Sequence, residues 1–333
     1  MRVAAIFGPG AGGSSSFRAV GRLLSERLEG HEVLACPGAL GAGLLDRCAL
    51  CEFEARGGYV ENLRAAALRL GAEEPDLLVC VGGDGLASYV ADALVGLGLG
   101  SIPILGVAGG TANVGPFVSV TAAELGGFRV EELLRLPVGA VEARDARRRI
   151  GLGFNDVVAA TTFLGTVDGR AASLSAPAMA LRGEALEEEP DPRVAGPDFR
   201  VEKNGLPVAG GSANPAQIVA SPLGEREFYG RAVTGALCES AYSDCKAALV
   251  LLDSIIVRPG RPGRGLADFA RSEQLLFGPG DRVVLRGLEP RAAAIVDGNP
   301  FLLEGGELSL AYLPGVAVAA RMRGDEGEGD RVR

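Results

Sequence analysis

The stretch Leu77-Leu78-Val79-Cys80-Val81-Gly82-Gly83-Asp84-Gly85 decides the fold. Its unbroken apolar run reads as a strand buried on both faces, the pattern of a parallel sheet covered by helices. A helical spacing of apolar residues then runs from Leu86 to Leu97. The glycines between strand and helix expose backbone N–H groups at the carboxyl end of a parallel strand, where open α/β sheets bind their ligands.

The same texture extends to the N-terminus. Val3 to Phe7 is an apolar run, Gly8 to Ser16 is a loop of small residues, and Phe17 to Leu28 has helical spacing. Short strands are expected near Glu32 to Cys36 and Cys51 to Ala55, on either side of the glycine-rich loop Pro37 to Gly43. A helix over Tyr59 to Leu70, a strand over Asp76 to Val81 and another over Ile102 to Val107 complete the alternation, which predicts a doubly wound parallel sheet.

Beyond Pro137 the pattern changes to shorter alternating segments separated by Gly, Pro and charged turns. Val138 to Ala143, Ile150 to Val158, Phe199 to Lys203, Ala216 to Ser221, Arg282 to Arg286, Ala292 to Val296, Glu307 to Leu313 and Val316 to Met322 all read as strands. The expected organisation is an α/β nucleotide-binding domain over 1–137, a mostly β domain over 138–322 that completes a cleft with it, and a charged, disordered tail over 323–333. Glu184 to Pro197 and Arg258 to Gly265 read as exposed connections, the second with a phosphate-binding alternative. No fixed-period repeat is present.

Bulk properties narrow the function. A chain of 333 residues with 47% hydrophobic and 23% charged residues is an ordinary two-domain globular composition. The formal charge of −9 argues against a nucleic-acid-coating surface, so a phosphate ligand must be held locally by backbone N–H groups, a few cations and Mg²⁺. The uncharged stretch Ala93 to Ala123 is long enough for a membrane span, but its seven glycines and two prolines argue against one. Because the chain enters a strand pattern at once, without a signal-peptide pattern, a cytoplasmic location is expected.

Six cysteines, Cys36, Cys48, Cys51, Cys80, Cys238 and Cys245, read as thiols, and the lone C-x-x-C of Cys48 and Cys51 lacks the second pair that a zinc site requires. His31 is the only histidine, which nearly excludes a histidine-based triad.

Three constellations could carry chemistry. Asp84, flanked by Gly82, Gly83 and Gly85, stands where a carboxylate can take the proton of an attacking hydroxyl or hold Mg²⁺, both suited to phosphoryl transfer. The competing reading is a helix N-cap. Gly106 to Asn113 follows the next strand: Gly109 and Gly110 would line a phosphate, and Thr111 and Asn113 could donate to phosphate or ribose oxygens, or simply close a polar turn. Gly153-Phe154-Asn155-Asp156, followed by Thr161, pairs an amide with a carboxylate, which recognises a base edge and ribose hydroxyls or marks an ordinary turn.

Taken together, Gly82-Gly83-Asp84-Gly85, Pro103 to Asn113 and Phe154-Asn155-Asp156 resemble, in order and spacing, the ATP-NAD kinase superfamily, which includes the diacylglycerol and sphingosine kinases. The branch containing acetoin-catabolism protein X is the most similar. The resemblance is dense over Met1 to Gly169 and implies a kinase that uses ATP and Mg²⁺ with NAD or a related nucleoside as acceptor. It assigns Asp84 a place near the acceptor hydroxyl and the phosphates, and Asn155 and Asp156 contacts to the nucleotide in the interdomain cleft. A sandwich-like second domain and a homo-oligomer are implied as well. Two departures stand out: Leu86 replaces a frequent threonine, and the Gly-Ser-Thr-Ala-Tyr-like segment of typical NAD kinases is missing, with Ile218 to Leu223 in a related place. Val296-Asp297-Gly298 resembles a late Asp-Gly of the family but is equally a hairpin turn, and Asp297 is not counted as catalytic.

Two alternatives follow. A catalytically silent NAD- or ATP-binding regulator linked to acetoin catabolism would bind without turnover. A lipid kinase would use a basic amphipathic membrane surface, and the net acidity counts against it.

Overall fold

In the computed structural model, which describes residues 1–8, 14–55, 57–109, 115–167, 170–189, 192–210, 214–223, 246–254 and 271–322, the opening apolar run forms β1 (Arg2–Phe7). Five further strands follow: β2 (Glu32–Ala35), β3 (Ala49–Leu50), β4 (Leu77–Gly82), β5 (Pro103–Ala108) and β6 (Val118–Val120). Helices α1 (Ser14–Arg27), α2 (Tyr59–Gly71) and α3 (Asp84–Gly96) connect them. The order β3-β2-β1-β4-β5 is parallel throughout, and β6 pairs in parallel with β5. The chain therefore winds outward from β1 in one direction and from β4 in the other, which makes the carboxyl ends of β1 and β4 the topological switch point.

Period-2 alternation divides the strands between two faces. Val3, Ala5, Phe7, Val79 and Val81 pack with Phe17, Val20 and Leu24 of α1 in one core. Ala4, Ile6, Leu78 and Cys80 point to the opposite face and are equally buried. Burial on both sides is the reason these strands are continuous apolar runs.

The second part of the chain is antiparallel. Its elements are β7 (Leu134–Arg144), β8 (Arg149–Gly153), β9 (Val157–Ala160), β10 (Thr162–Val167), β11 (Arg170–Ser175), α4 (Ala176–Arg182), β12 (Ala195–Lys203), β13 (Leu206–Gly210) and β14 (Gln217–Pro222). After these come β15 (Ala247–Leu252), β16 (Ser272–Phe277), β17 (Arg282–Leu288), β18 (Ala293–Val296), β19 (Asn299–Leu302) and β20 (Glu307–Arg321). One sheet runs β16-β15-β14-β9-β18-β19, the other includes β13-β12-β17-β20, and β7 pairs with β8. Val157, Ala159, Ile218, Leu249 and Phe277 of the first sheet share a single core with Phe199, Val201, Leu285 and Leu310 of the second, which is sandwich packing. The fold class is thus a doubly wound α/β unit and a mostly β unit.

The chain divides into Met1–Val138 with the described residues from Gly315 onward, and Gly139–Pro314. The last segment differs from expectation. Glu307 to Leu313 and Val316 to Met322 read as two strands of the β domain, but they form the single strand β20, and its end pairs in parallel with β5 of the first unit, Val318 with Pro103 and Ala319 with Ile104. Gly315 takes φ +55, a conformation that costs glycine nothing, so the Pro-Gly step does not end the strand.

Three local readings are corrected. The strand expected over Cys51 to Ala55 is only the two-residue β3, Ala49–Leu50, because its partner β2 stops before Pro37, which has no N–H to continue a ladder. Ile150 to Val158 is not one strand but β8 and β9 with a turn between them. Helix α3 begins at Asp84, two residues earlier than its apolar spacing indicates. The tail 323–333, the loop 258–265, Cys238 and Cys245 lie outside the described residues. No described helix is long and apolar enough to cross a membrane.

Candidate active site

The site in the first unit is built on the end of β4. The strand is buried through Gly82, Gly83 is extended at φ −98 and ψ 179, and Asp84 is the first residue of α3. The N-cap is Gly83, not Asp84, so the capping reading of Asp84 does not hold. Its carboxylate instead reaches a segment 31 residues further on, where Oδ2 accepts the Gly115 backbone N–H at 2.9 Å. A negative side chain in the first turn is also favoured by the positive end of the helix.

Neighbouring strand ends converge on the same place. The Gly109 N–H donates to the Gly82 carbonyl at 2.9 Å, and the Gly8 N–H donates to the Val81 carbonyl at 3.0 Å. A Cβ on Gly109 would lie 3.0 Å from Phe17 Cε1 and 3.2 Å from Gly82 Cα, so backbone here lies against backbone. A Cβ on Gly115 would lie 2.9 Å from both Cγ and Oδ1 of Asp84. Glycine at position 115 thus leaves the Asp84 carboxylate its seat, and glycine at position 109 allows the close approach to Gly82. Leu86, where a threonine is frequent in the resembling family, is buried and covers Gly82, whose own Cβ would lie 2.7 Å from Leu86 Cδ2.

The structure therefore brings Gly82, Gly83, Asp84, Gly85 and Gly109 together at the carboxyl-terminal edge of the parallel strands β4 and β5. Gly110, Thr111 and Asn113 lie outside the described residues. Such an edge can seat phosphate oxygens against N–H groups at a helix N-terminus, with a carboxylate beside them to take a proton or hold a cation. Among the described residues no three His, Cys, Asp or Glu side chains are grouped to hold a metal ion. A single carboxylate with phosphate oxygens is nevertheless a normal Mg²⁺ environment, and Asp84 beside a glycine-lined turn fits it.

The second cluster lies in the Gly139–Pro314 unit. The turn Phe154-Asn155-Asp156 separates β8 from β9, and its three N–H groups all go to the buried carboxylate of Asp297. Phe154 N–H donates to Oδ2 at 2.8 Å, while Asn155 and Asp156 donate to Oδ1 at 2.8 and 2.9 Å. This explains the broken strand: donors that would have gone to a ladder are bound by a carboxylate. The Asn155 carbonyl accepts the buried Ser221 hydroxyl at 2.7 Å, and Asn155 Nδ2 lies 3.5 Å from Asp156 Oδ2. Asn155 is buried and Asp156 half-buried. Thr161 is buried beyond β9, where its carbonyl accepts the Ala176 N–H at the start of α4.

Sequence reasoning set Asp297 aside as a hairpin residue, and it is one. Asp297 and Gly298, at φ +46 and +80, join β18 to β19 in the left-handed conformations of a two-residue turn. The missed signal is an acid placed directly after Ala292 to Val296, a run buried throughout, so that its carboxylate starts from an apolar wall.

Among the described residues, Cys36, Cys48, Cys51 and Cys80 are free thiols. Burial pushes Cys36 up to about 12 and raises Cys48 and Cys51, which disfavours the reactive thiolate.

No protein-family model matches this chain, and no curated protein matches it in sequence. Among solved structures it is similar to yeast NADH kinase complexed with NADH, with a TM-score of 0.53 and 13% identity over 96% of this chain and 82% of that one. It also aligns with an NAD kinase from Archaeoglobus fulgidus in complex with ATP, at a TM-score of 0.49 and 14% identity over 98% and 95%. The likeness to the yeast enzyme is one of fold, an α/β unit with a mostly β unit.

Proposed function

We propose that this chain is an ATP-dependent kinase that phosphorylates a hydroxyl of NAD or a closely related nucleoside, with Asp84 as its acid–base group. The observation that carries the reading is the seat of Asp84: the carboxyl end of β4, beside the switch point, on the first residue of α3, with the carboxylate oriented by Gly115. The yeast structure of the same fold holds NADH, which supports a dinucleotide acceptor. The finer resemblance, to acetoin-catabolism protein X, and a homo-oligomer belong to the same reading.

In the proposed reaction the acceptor hydroxyl attacks the terminal phosphorus of ATP in line, the bond to the leaving oxygen breaks, and Asp84 receives the hydroxyl proton. In this reading the N–H groups of the Gly82 to Gly85 turn and the start of α3 would balance the phosphoryl charge. Mg²⁺, when bound, would supply charge neutralisation at the phosphate oxygens. Asn155 and Asp156 are assigned to the nucleoside, as donor and acceptor for its hydroxyls or base edge.

Mass-spectrometric detection of NADP after incubation with NAD, ATP and Mg²⁺ tests the reading. The unaltered protein should form NADP, and Asp84→Asn should bind nucleotide but lose most turnover. Full activity in Asp84→Asn would overturn the role of this carboxylate. Thermal stabilisation by nucleotides without any phosphorylated product would replace the kinase with a sensor module.

A further inference from the structure

Asp297 does more than close a hairpin. Three successive backbone N–H groups converging on one carboxylate form the kind of concavity that elsewhere binds a phosphate or carboxylate ligand. Here the anion comes from the chain itself, from a residue 141 to 143 positions further on. The arrangement is reciprocal, since the Asp297 N–H donates to the Asp156 carbonyl at 3.1 Å. Ser221 takes the Asn155 carbonyl, so both backbone polar groups of Asn155 are engaged by buried side chains.

A two-residue hairpin does not need this chemistry, because asparagine serves a left-handed turn position as well as aspartate. An Asn side chain has one acceptor oxygen and an NH₂ that donates. It could serve Asn155 and Asp156 from the Oδ1 position but would set a donor against the Phe154 N–H. Only a carboxylate offers acceptors to all three amides. A buried carboxylate is in turn tolerated because those amides satisfy it.

We propose that Asp297 is a positioning residue, an internal anion that occupies the amide concavity of the Phe154-Asn155-Asp156 turn and so fixes the direction in which Asn155 and Asp156 present their side chains. With the concavity filled from within, this turn does not bind a phosphate through its backbone. It meets a ligand through side chains, of which Asp156 is the half-buried member. The assignment of a ligand to those side chains rests on the kinase reading above, whereas the internal anion does not.

The test uses the full-length chain and the variants Asp297→Gly and Asp297→Asn. Glycine removes the carboxylate while accepting the left-handed backbone, and it leaves three amides around a space that a small carboxylate can enter. Melting temperatures are measured in sodium formate and, at equal ionic strength, in sodium chloride. Formate should raise the melting temperature of Asp297→Gly selectively and leave the unaltered protein unmoved. In the kinase assay Asp297→Gly should lose kcat/KM by about 100-fold, the scale of an ångström of misplacement. The loss should fall mainly on KM for the acceptor and be partly restored by formate, and Asp297→Asn should lie between the two.

Equal responses of variant and unaltered protein to formate would overturn the internal-anion assignment, and an unchanged acceptor KM in an active Asp297→Gly would overturn the positioning role. If Asp297→Gly does not fold even with formate, Asp297→Asn decides, and its retention of the unaltered melting temperature and KM would sink the proposal. Failure of the kinase reading would appear differently, as absence of turnover in the unaltered protein. The formate response then decides the internal anion alone, and nucleotide-induced thermal shifts of the variants decide the positioning.

Discussion

The backbone N–H of Gly115 donates to Oδ2 of Asp84 at 2.9 Å, and no side chain fits on Gly115 without meeting that carboxylate. One glycine thus both binds the proposed acid–base group and makes room for it. Gly115→Ala places a Cβ at 2.9 Å from Asp84 Cγ, closer than real Cβ contacts allow. The carboxylate must rotate away. Turnover should fall by about 100-fold, since an ångström of displacement costs that much in a positioned catalytic group. The thermal shift produced by nucleotide should persist. Steady-state kinetics beside thermal shift checks both, and unchanged kcat/KM would remove Gly115 from the site.

Asp281 offers an acid-dependent test of the second unit. Its carboxylate accepts Asn204 Nδ2 at 2.8 Å, the Gly278 N–H at 2.9 Å, and the Lys203 ammonium at 3.0 Å. These partners, Asn204 foremost, hold its pKa down to about 2. A carboxylate with a folded pKa below its unfolded value, about 4, stabilises the fold above pH 4 and loses that contribution as the pH falls toward 2. Asp281→Asn should therefore be less stable than the unaltered protein at pH 7, with the gap closing at low pH. Urea unfolding across pH 2.5 to 7 measures it, and a gap independent of pH would contradict this account.

Cys36 is buried between strand and helix, with its thiol 3.8 Å from the Ala66 carbonyl of α2. Burial raises its pKa to about 12, followed by the neighbouring Cys51 as a smaller cause. At pH 8 its thiolate fraction is on the order of one in ten thousand. Iodoacetamide should leave Cys36 unmodified in the folded protein and label it fully in guanidinium, as read by peptide mass spectrometry. Labelling of the folded protein at the rate of a free thiol would show that this strand edge opens.

The α/β unit was legible because its signals are local and redundant. Val3 to Phe7 and Leu77 to Val81 are buried on both faces, so each announces itself as an unbroken apolar run, and each is followed by glycines and then a helical period. The mostly β texture after Pro137 was legible for a similar reason, the period of 2. Less was legible within it. The helix α4 and the hairpin β10-β11 escaped notice because a seven-residue helix presents barely two turns of periodicity. The break between β8 and β9 was legible only as the alternative turn reading of Asn155-Asp156, because Ile150 to Val158 satisfies a strand pattern across it and the Asp297 carboxylate that withdraws three donors from the ladder is distant in sequence.

The sequence by itself determined the parallel α/β order, the glycine turn after β4 and the presence of an acid at its exit, because strand burial, glycine freedom and helix periodicity act over a few neighbouring residues. Tertiary structure alone decided which distant groups those residues meet: Gly115 for Asp84, Asp297 and Ser221 for the Asn155 turn, and β5 for the end of β20. Such choices depend on which donors and acceptors remain after local structure has formed and on which surfaces pack, quantities that involve the whole chain at once.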